Sequence, residues 1–283
     1  MHGRTELHTV WDDVGAVRVR GRVNDRALAG DRSAPHVVLV HGLGMATSYL
    51  EPTMRALGDA MPVSALDLPG FGGSRRVLGE YRSLDSALRE SSDPHPGGGT
   101  LLSELAAALV EWLRVRGIVA PVLVGQSHGC QVIVEAVWRD PALASALVLN
   151  APTMLAEHRS VMRQLWLVAL DTPREPLSLV PHVVRDYLRA GPRRILATLK
   201  DSLRDRMEEK LPSVRVPVTF VTGERDPVSP PEWCERLARL VGLGARFVAV
   251  SGAAHAVPFS HPEPLAGEIV AMVGRVAAER VAR

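Results

Sequence analysis

Eleven residues near the middle of the chain, Val122-Leu123-Val124-Gly125-Gln126-Ser127-His128-Gly129-Cys130-Gln131-Val132, constrain its fold more than any other stretch. An apolar run ends at a Gly-x-Ser-x-Gly pentapeptide, and a helical pattern starts directly behind it. In that context the pentapeptide reads as a strand-to-helix elbow. The serine at such a turn takes a strained backbone conformation, and strand and helix can approach only where the residues two before and two after it are small. Gly125 and Gly129 meet that demand. The turn projects the Ser127 hydroxyl clear of the sheet and leaves the His128 amide at a helix N-terminus, aimed at developing negative charge.

The rest of the chain supplies the sheet. Val37-Val38-Leu39-Val40, Val63-Ser64-Ala65-Leu66, Ala146-Leu147-Val148-Leu149, Val218-Thr219-Phe220-Val221 and Arg246-Phe247-Val248-Ala249-Val250 are short apolar runs of the kind that parallel strands buried on both faces require. Residues 16–23 alternate apolar and charged positions instead, as a half-exposed antiparallel edge does, with residues 7–11 as the expected partner. Helical spacing is predicted over 49–60, 101–116, 131–139, 231–240 and 264–278. Alternation of strand and helix makes right-handed βαβ units and hence an α/β fold with a mostly parallel sheet covered on both faces.

Two segments break the rhythm. From residue 152 to 212 the strand signal disappears and helical stretches follow one another, interrupted at Asp171-Thr172-Pro173 and Gly191-Pro192. The expected organisation is a core domain of residues 1–151 and 213–283 with a helical cap, 152–212, inserted in it. A length of 283 residues suits one core with an insertion. The second break, 75–100, ends in Asp93-Pro94-His95-Pro96-Gly97-Gly98-Gly99, whose composition predicts mobility at its C-terminal end.

Several function classes fall away on composition. The net charge is +2 and aromatic residues make up 4%, with no basic run, so nucleic acid is not an expected partner. Cys130 and Cys234 are the only cysteines and have no partners at metal-ligand spacing; both are expected to be reduced, with neither a metal nor a disulfide framework. No apolar run has signal-peptide or membrane-spanning length, so the expected setting is the cytoplasm, away from membranes.

A serine hydroxyl is a weak nucleophile and needs an imidazole to accept its proton. Of ten histidines, His255 is best placed: it follows the last predicted strand in Ser251-Gly252-Ala253-Ala254-His255, at the sheet edge where parallel-sheet active sites form. The carboxylate that orients it is expected at Asp226, in Gly223-Glu224-Arg225-Asp226-Pro227-Val228. Asp226 is favoured over Glu224 because it lies later in the turn and precedes a proline. A second oxyanion donor, besides the His128 amide, is expected from His41-Gly42-Leu43-Gly44-Met45, with the Leu43 amide first choice and His41 a brace for the loop.

This combination resembles the α/β-hydrolase superfamily. The resemblance is carried by His41-Gly42-Leu43-Gly44, Asp67-Leu68-Pro69-Gly70-Phe71-Gly72-Gly73-Ser74, Gly125-Gln126-Ser127-His128-Gly129, Gly223-Glu224-Arg225-Asp226, and Gly252-Ala253-Ala254-His255 with His261-Pro262-Glu263, in family order. It implies an eight-stranded, mainly parallel sheet, a helical cap after the strand ending at Asn150, a Ser127–His255–Asp226 triad, and no organic cofactor or metal. Cys130 and Ala254 stand where many members carry glycine, and His128 where methionine, leucine or tryptophan is frequent.

The serine argues against the alkyl-enzyme chemistry of relatives with aspartate at the elbow. The expected activity is hydrolysis of a carboxylic ester, or of a related thioester or lactone, of a small hydrophobic substrate through an acyl-enzyme. The alternatives are a C–C bond hydrolase, a cyclase or lyase that uses His255 without an acyl-enzyme, and a catalytically inert binding module. Met154, Leu155, Met162, Leu165, Trp166, Leu167, Leu170, Val183, Tyr187 and Leu188 are candidates for an apolar ceiling over the substrate or for the cap's own packing. Arg159, Arg163, Arg185, Arg189, Arg193 and Arg194 are candidates for contact with an anionic group or for a solvated helix face.

Overall fold

The computed structural model describes residues 5–74, 101–242 and 244–281; the segment 75–100, expected to be mobile, lies outside the described residues. The chain opens with an antiparallel hairpin of β1 (Leu7–Val14) and β2 (Val17–Asn24), followed by β3 (Val37–Val40), α1 (Glu51–Leu57) and β4 (Val63–Leu66). Next come α2 (Leu101–Val115), β5 (Val122–Gln126), α3 (His128–Arg139) and β6 (Ala146–Asn150). Helices α4 (Val161–Asp171), α5 (Val180–Ala190) and α6 (Pro192–Ser202) separate β6 from β7 (Val218–Gly223). The chain closes with α7 (Pro231–Leu240), β8 (Arg246–Val250), a one-turn helix at Val257–Ser260 and α8 (Pro262–Val281).

All eight strands form one sheet in the order β1-β2-β4-β3-β5-β6-β7-β8. Strand β2 pairs antiparallel with both its neighbours, and every other pairing is parallel. The buried strands divide their side chains by the two-residue period of a pleat. Val38, Val40 and Leu123 enter the core beneath α2 and α3, with Leu105, Leu109, Trp112, Val132 and Ile133. Val37, Leu39, Val122 and Val124 enter the opposite core beneath α1 and α8, with Met54, Leu57, Leu265 and Ile269. Each such side chain contributes about 1.5–3 kcal/mol by leaving water. Apolar runs without alternation are therefore what a strand covered on both faces needs.

The expected α/β architecture, eight-stranded and mainly parallel, is the one observed. Local differences have local causes. The helix predicted over 49–60 is divided into a 3-10 turn, Thr47–Tyr49, and α1, because Gly58 at φ 66° stops it early. Helix α3 starts three residues before the predicted 131, directly on the elbow, and α8 starts at Pro262, where a proline without an N–H suits a first helical position. The interruption at Asp171-Thr172-Pro173 is the end of α4, and Gly191-Pro192 is the joint between α5 and α6. Among the described residues, no helix is long and apolar enough to cross a membrane.

Candidate active site

Ser127 sits between β5 and α3 with φ 55° and ψ −119°, a region that L residues avoid. Its amide donates to the Asn150 carbonyl on β6 at 2.9 Å, which anchors the turn to the sheet. The two flanking glycines are demanded by contact. A Cβ on Gly125 would stand 2.8 Å from the Cys130 Cα, and one on Gly129 would press on the Val40 carbonyl and lie 2.8 Å from that of His41. Cys130 lies beneath the elbow, free and fully buried, with its thiol directed at the Asn150 carbonyl.

The loops after β7 and β8 meet at this serine. His255 Nε2 is 3.1 Å from Ser127 Oγ, and His255 Nδ1 is 2.8 Å from Asp226 Oδ2. Asp226 is almost fully buried; its Oδ1 accepts the amides of Val228 and Ser229 at 2.7 and 2.9 Å, while the Thr222 hydroxyl donates to Oδ2. Two amides on one oxygen leave the other for the imidazole. Glu224 instead turns outward and accepts from the Ser251 hydroxyl and the Gly252 amide, bracing the loop that leads to His255.

The loop after β3 closes the other side. A Cβ on Gly42 would stand 3.1 Å from that of Ser127. Among the described residues, the Leu43 amide has no acceptor. His41 is fully buried and holds the loop from within: its Nδ1–H donates to the Gly42 carbonyl at 2.8 Å and its Nε2 accepts the Leu68 amide at 2.9 Å. Burial pushes its pKa down, so the ring is a neutral brace. Asp67, also fully buried, accepts the Thr47 and Gly73 amides at 2.7 Å each and pairs with Arg20 at 2.9 Å.

The helices between β6 and β7 reach into the same place. Tyr187 of α5 lies against the loop after β3, where a Cβ on Gly44 would be 2.9 Å from its Cζ. The buried His128 ring is 2.9 Å through Nδ1 from the Ser202 hydroxyl on α6 and 3.1 Å from Gln131 Oε1. That hydroxyl donates to the Thr198 carbonyl and the amide oxygen can only accept, so Nδ1 carries the proton. Burial lowers the His128 pKa to about 4 and leaves the ring neutral.

Asp171 and Glu175, neither of which the sequence marks as a site residue, complete the surroundings of His255. Asp171 Oδ1 accepts the His255 amide at 3.3 Å, and Glu175 Oε1 accepts the Ala256 amide at 2.6 Å. An acid beside a helix end is ordinary, and their partners lie more than 80 residues away in sequence, so no local pattern marks them. Burial is the largest influence on the His255 pKa and lowers it. The charge and hydrogen bond of Asp226, with the charges of Asp171 and Glu175, outweigh it and lift the value to about 9.

The candidate ceiling divides. Met154, Leu155 and Leu167 are buried, whereas Met162, Leu165, Trp166 and Leu188 face outward, with Met162 76% and Leu188 78% exposed. The arginines are mostly engaged within the chain: Arg159 with Glu208, Arg163 over the Trp166 ring, Arg185 with Asp186 and Ser48, and Arg194 with the Pro69 carbonyl and the Phe71 ring.

The family model described as "Alpha/beta hydrolase family" matches residues 37–268. A pimeloyl-(acyl-carrier protein) methyl ester esterase of Neisseria meningitidis serogroup B is 27% identical over 243 residues, covering 81% of this chain and 89% of that protein. Polyketide synthase ThaQ of Burkholderia thailandensis is 27% identical over 265 residues, 89% of this chain but 12% of the synthase. The crystal structure of the enol-lactonase from Burkholderia xenovorans superposes with a TM-score of 0.68 at 18% identity, over 94% of this chain and 100% of that one.

Proposed function

The chain belongs to the alpha/beta hydrolase family, and from that premise we propose that it is a serine hydrolase. It cleaves a carboxylic ester, or a related thioester or lactone, of a small hydrophobic substrate through an acyl-enzyme on Ser127. In this reading residues 1–151 and 213–283 are the core, 152–212 are a cap over the substrate, and the enzyme works in the cytoplasm without a cofactor.

The observation that carries the reading is the alignment of Ser127 Oγ, His255 and Asp226, with contacts of 3.1 and 2.8 Å, at an elbow of strained backbone. His255 Nε2 takes the serine proton as Oγ attacks the acyl carbon. Asp226 holds the proton on Nδ1 and stabilises the imidazolium that forms. The amides of Leu43 and His128 receive the oxyanion; a well-placed donor of this kind is worth about 10²–10³ in rate. His255 returns the proton to the leaving alcohol; it then takes a proton from the water that attacks the acyl carbon and gives it to Ser127 Oγ as the acid departs.

The Neisseria relative's name adds a substrate class, the methyl ester of an acyl chain borne by a carrier protein. The test is turnover of p-nitrophenyl esters of increasing acyl length and of an acyl-carrier-protein methyl ester, with fluorophosphonate labelling, beside Ser127→Ala. The expected result is turnover that drops at least about 10³-fold in Ser127→Ala, with labelling lost. Conversion of a substrate that survives Ser127→Ala would remove the acyl-enzyme and favour cyclase or lyase chemistry.

A further inference from the structure

His255 is enclosed by three carboxylates, of which the triad accounts for one. Asp226 reaches it from the loop after β7. Asp171, the last residue of α4, and Glu175, four residues on, reach it from the β6–β7 segment and bind the amides of His255 and Ala256. Consecutive main-chain N–H groups of the proton carrier are thus held by consecutive acids of the β6–β7 segment. We infer that Asp171 and Glu175 are positioning residues that act through His255, fixing its main chain and favouring its imidazolium form by their charge. The inference rests on the reading of His255 as the general base and deepens it.

Two observations support it. Both acids bond to backbone amides, and among the described residues neither is held in a salt bridge, so little of their negative charge is offset before it reaches the imidazole. Asp171 is buried and Glu175 half-buried, where a charge acts at longer range than on the surface. Burial is also the main reason that the Glu175 pKa is raised, to about 7, and that of Asp171 is raised as well.

The neighbouring elements bring few other charges. Tyr49, buried, has its pKa raised mainly by burial and further by Glu175, Asp171 and Asp226. His182 of α5 packs edge-on to Phe259, and His261 is 3.0 Å from the Ser260 hydroxyl. Arg174 offsets Asp171 modestly from its exposed place, and Glu224 holds the outer side of the same loop.

The sign is fixed by charge. An anion nearby favours the imidazolium, so ionised Asp171 and Glu175 raise the pH at which His255 becomes a base. The two titrations are coupled, because Glu175 itself ionises near neutrality. The acid limb of kcat/KM consequently lies above that of a triad without these neighbours, and the imidazolium formed during acylation is better stabilised.

The test replaces charge while keeping the acceptor oxygens: Asp171→Asn, Glu175→Gln and the double variant, with protein carrying ¹⁵N-labelled histidine. The His255 resonance is identified by its loss in His255→Gln. In the double variant its titration midpoint is expected to fall by about one unit or more. The acid limb of p-nitrophenyl acetate hydrolysis moves with it, and the plateau kcat falls. A purely structural role would lower the rate or Tm with the midpoint unmoved, and that result overturns the inference. A moved midpoint in a protein that turns over no ester would overturn the hydrolase reading and leave this one standing.

Discussion

At Ser127 the backbone holds φ 55° and ψ −119° on a residue with a Cβ, a conformation that costs on the order of 1–3 kcal/mol. The Ser127 amide bond to Asn150 and the packing of two glycines hold it there. The carboxylate at the far end is equally constrained, since Asp226 accepts from Val228, Ser229 and Thr222 while facing His255. Asp226→Asn is therefore expected to keep the fold and lower kcat about 10²- to 10⁴-fold, by favouring the wrong imidazole tautomer. Steady-state kinetics beside a thermal melt checks it, and an unchanged kcat would exclude Asp226 from the proton relay. Ser127, Asp226 and His255 were legible in the sequence because each follows a recognisable strand. Asp171 and Glu175 were not, because what marks them is the distant backbone they bind.

Helix α3 approaches β3 so closely that Gly129 has no room for a methyl group. Gly129→Ala is expected to destabilise the protein by about 2–3 kcal/mol, because the clash is with backbone carbonyls that cannot turn aside. Gly267 is the contrast: it lies exposed in α8 with open space where a Cβ would go. Gly267→Ala is expected to stabilise by about 0.5–1 kcal/mol, through helix propensity alone. Urea unfolding of both variants decides the matter, and equal effects would mean that crowding at the elbow has been overstated. Strand positions read well from sequence because uninterrupted apolar runs have few other uses in a soluble chain. Helix ends read less well: α1 is cut short by a glycine and α3 is started by the elbow, and periodicity registers neither event.

Across the molecule, the β6–β7 segment is fastened to the core by buried polar contacts as well as by apolar ones. Lys210 reaches Glu135 of α3 at 2.6 Å and also Asp205; Gln131 donates to the Ser202 carbonyl and to Asp205; Asp201 accepts the first amides of α2 at Leu102. Removing the cation leaves Asp205 with the Gln131 amide and Glu135 with Arg139 alone. Lys210→Met is expected to cost about 3–5 kcal/mol, and adding Glu135→Gln and Asp205→Asn should recover much of that. Chemical denaturation of the single and triple variants tests it; a single variant as stable as the parent would mean that the segment is held by its apolar contacts alone. The sequence showed that this segment is helical but not which of its apolar residues face outward, since that depends on the surface beneath it.

The strand order has a consequence for how the chain is made. Once β4 has paired between β2 and β3, the sheet extends at one edge only, through β5, β6, β7 and β8 in turn. For a chain that folds as it leaves the ribosome, every new strand therefore meets a partner already in place. Ser127 arrives on the first of these additions, and His255 comes after the last. The Ser127 hydroxyl thus spends much of assembly without His255 beside it, and the two meet only when the final strand has docked.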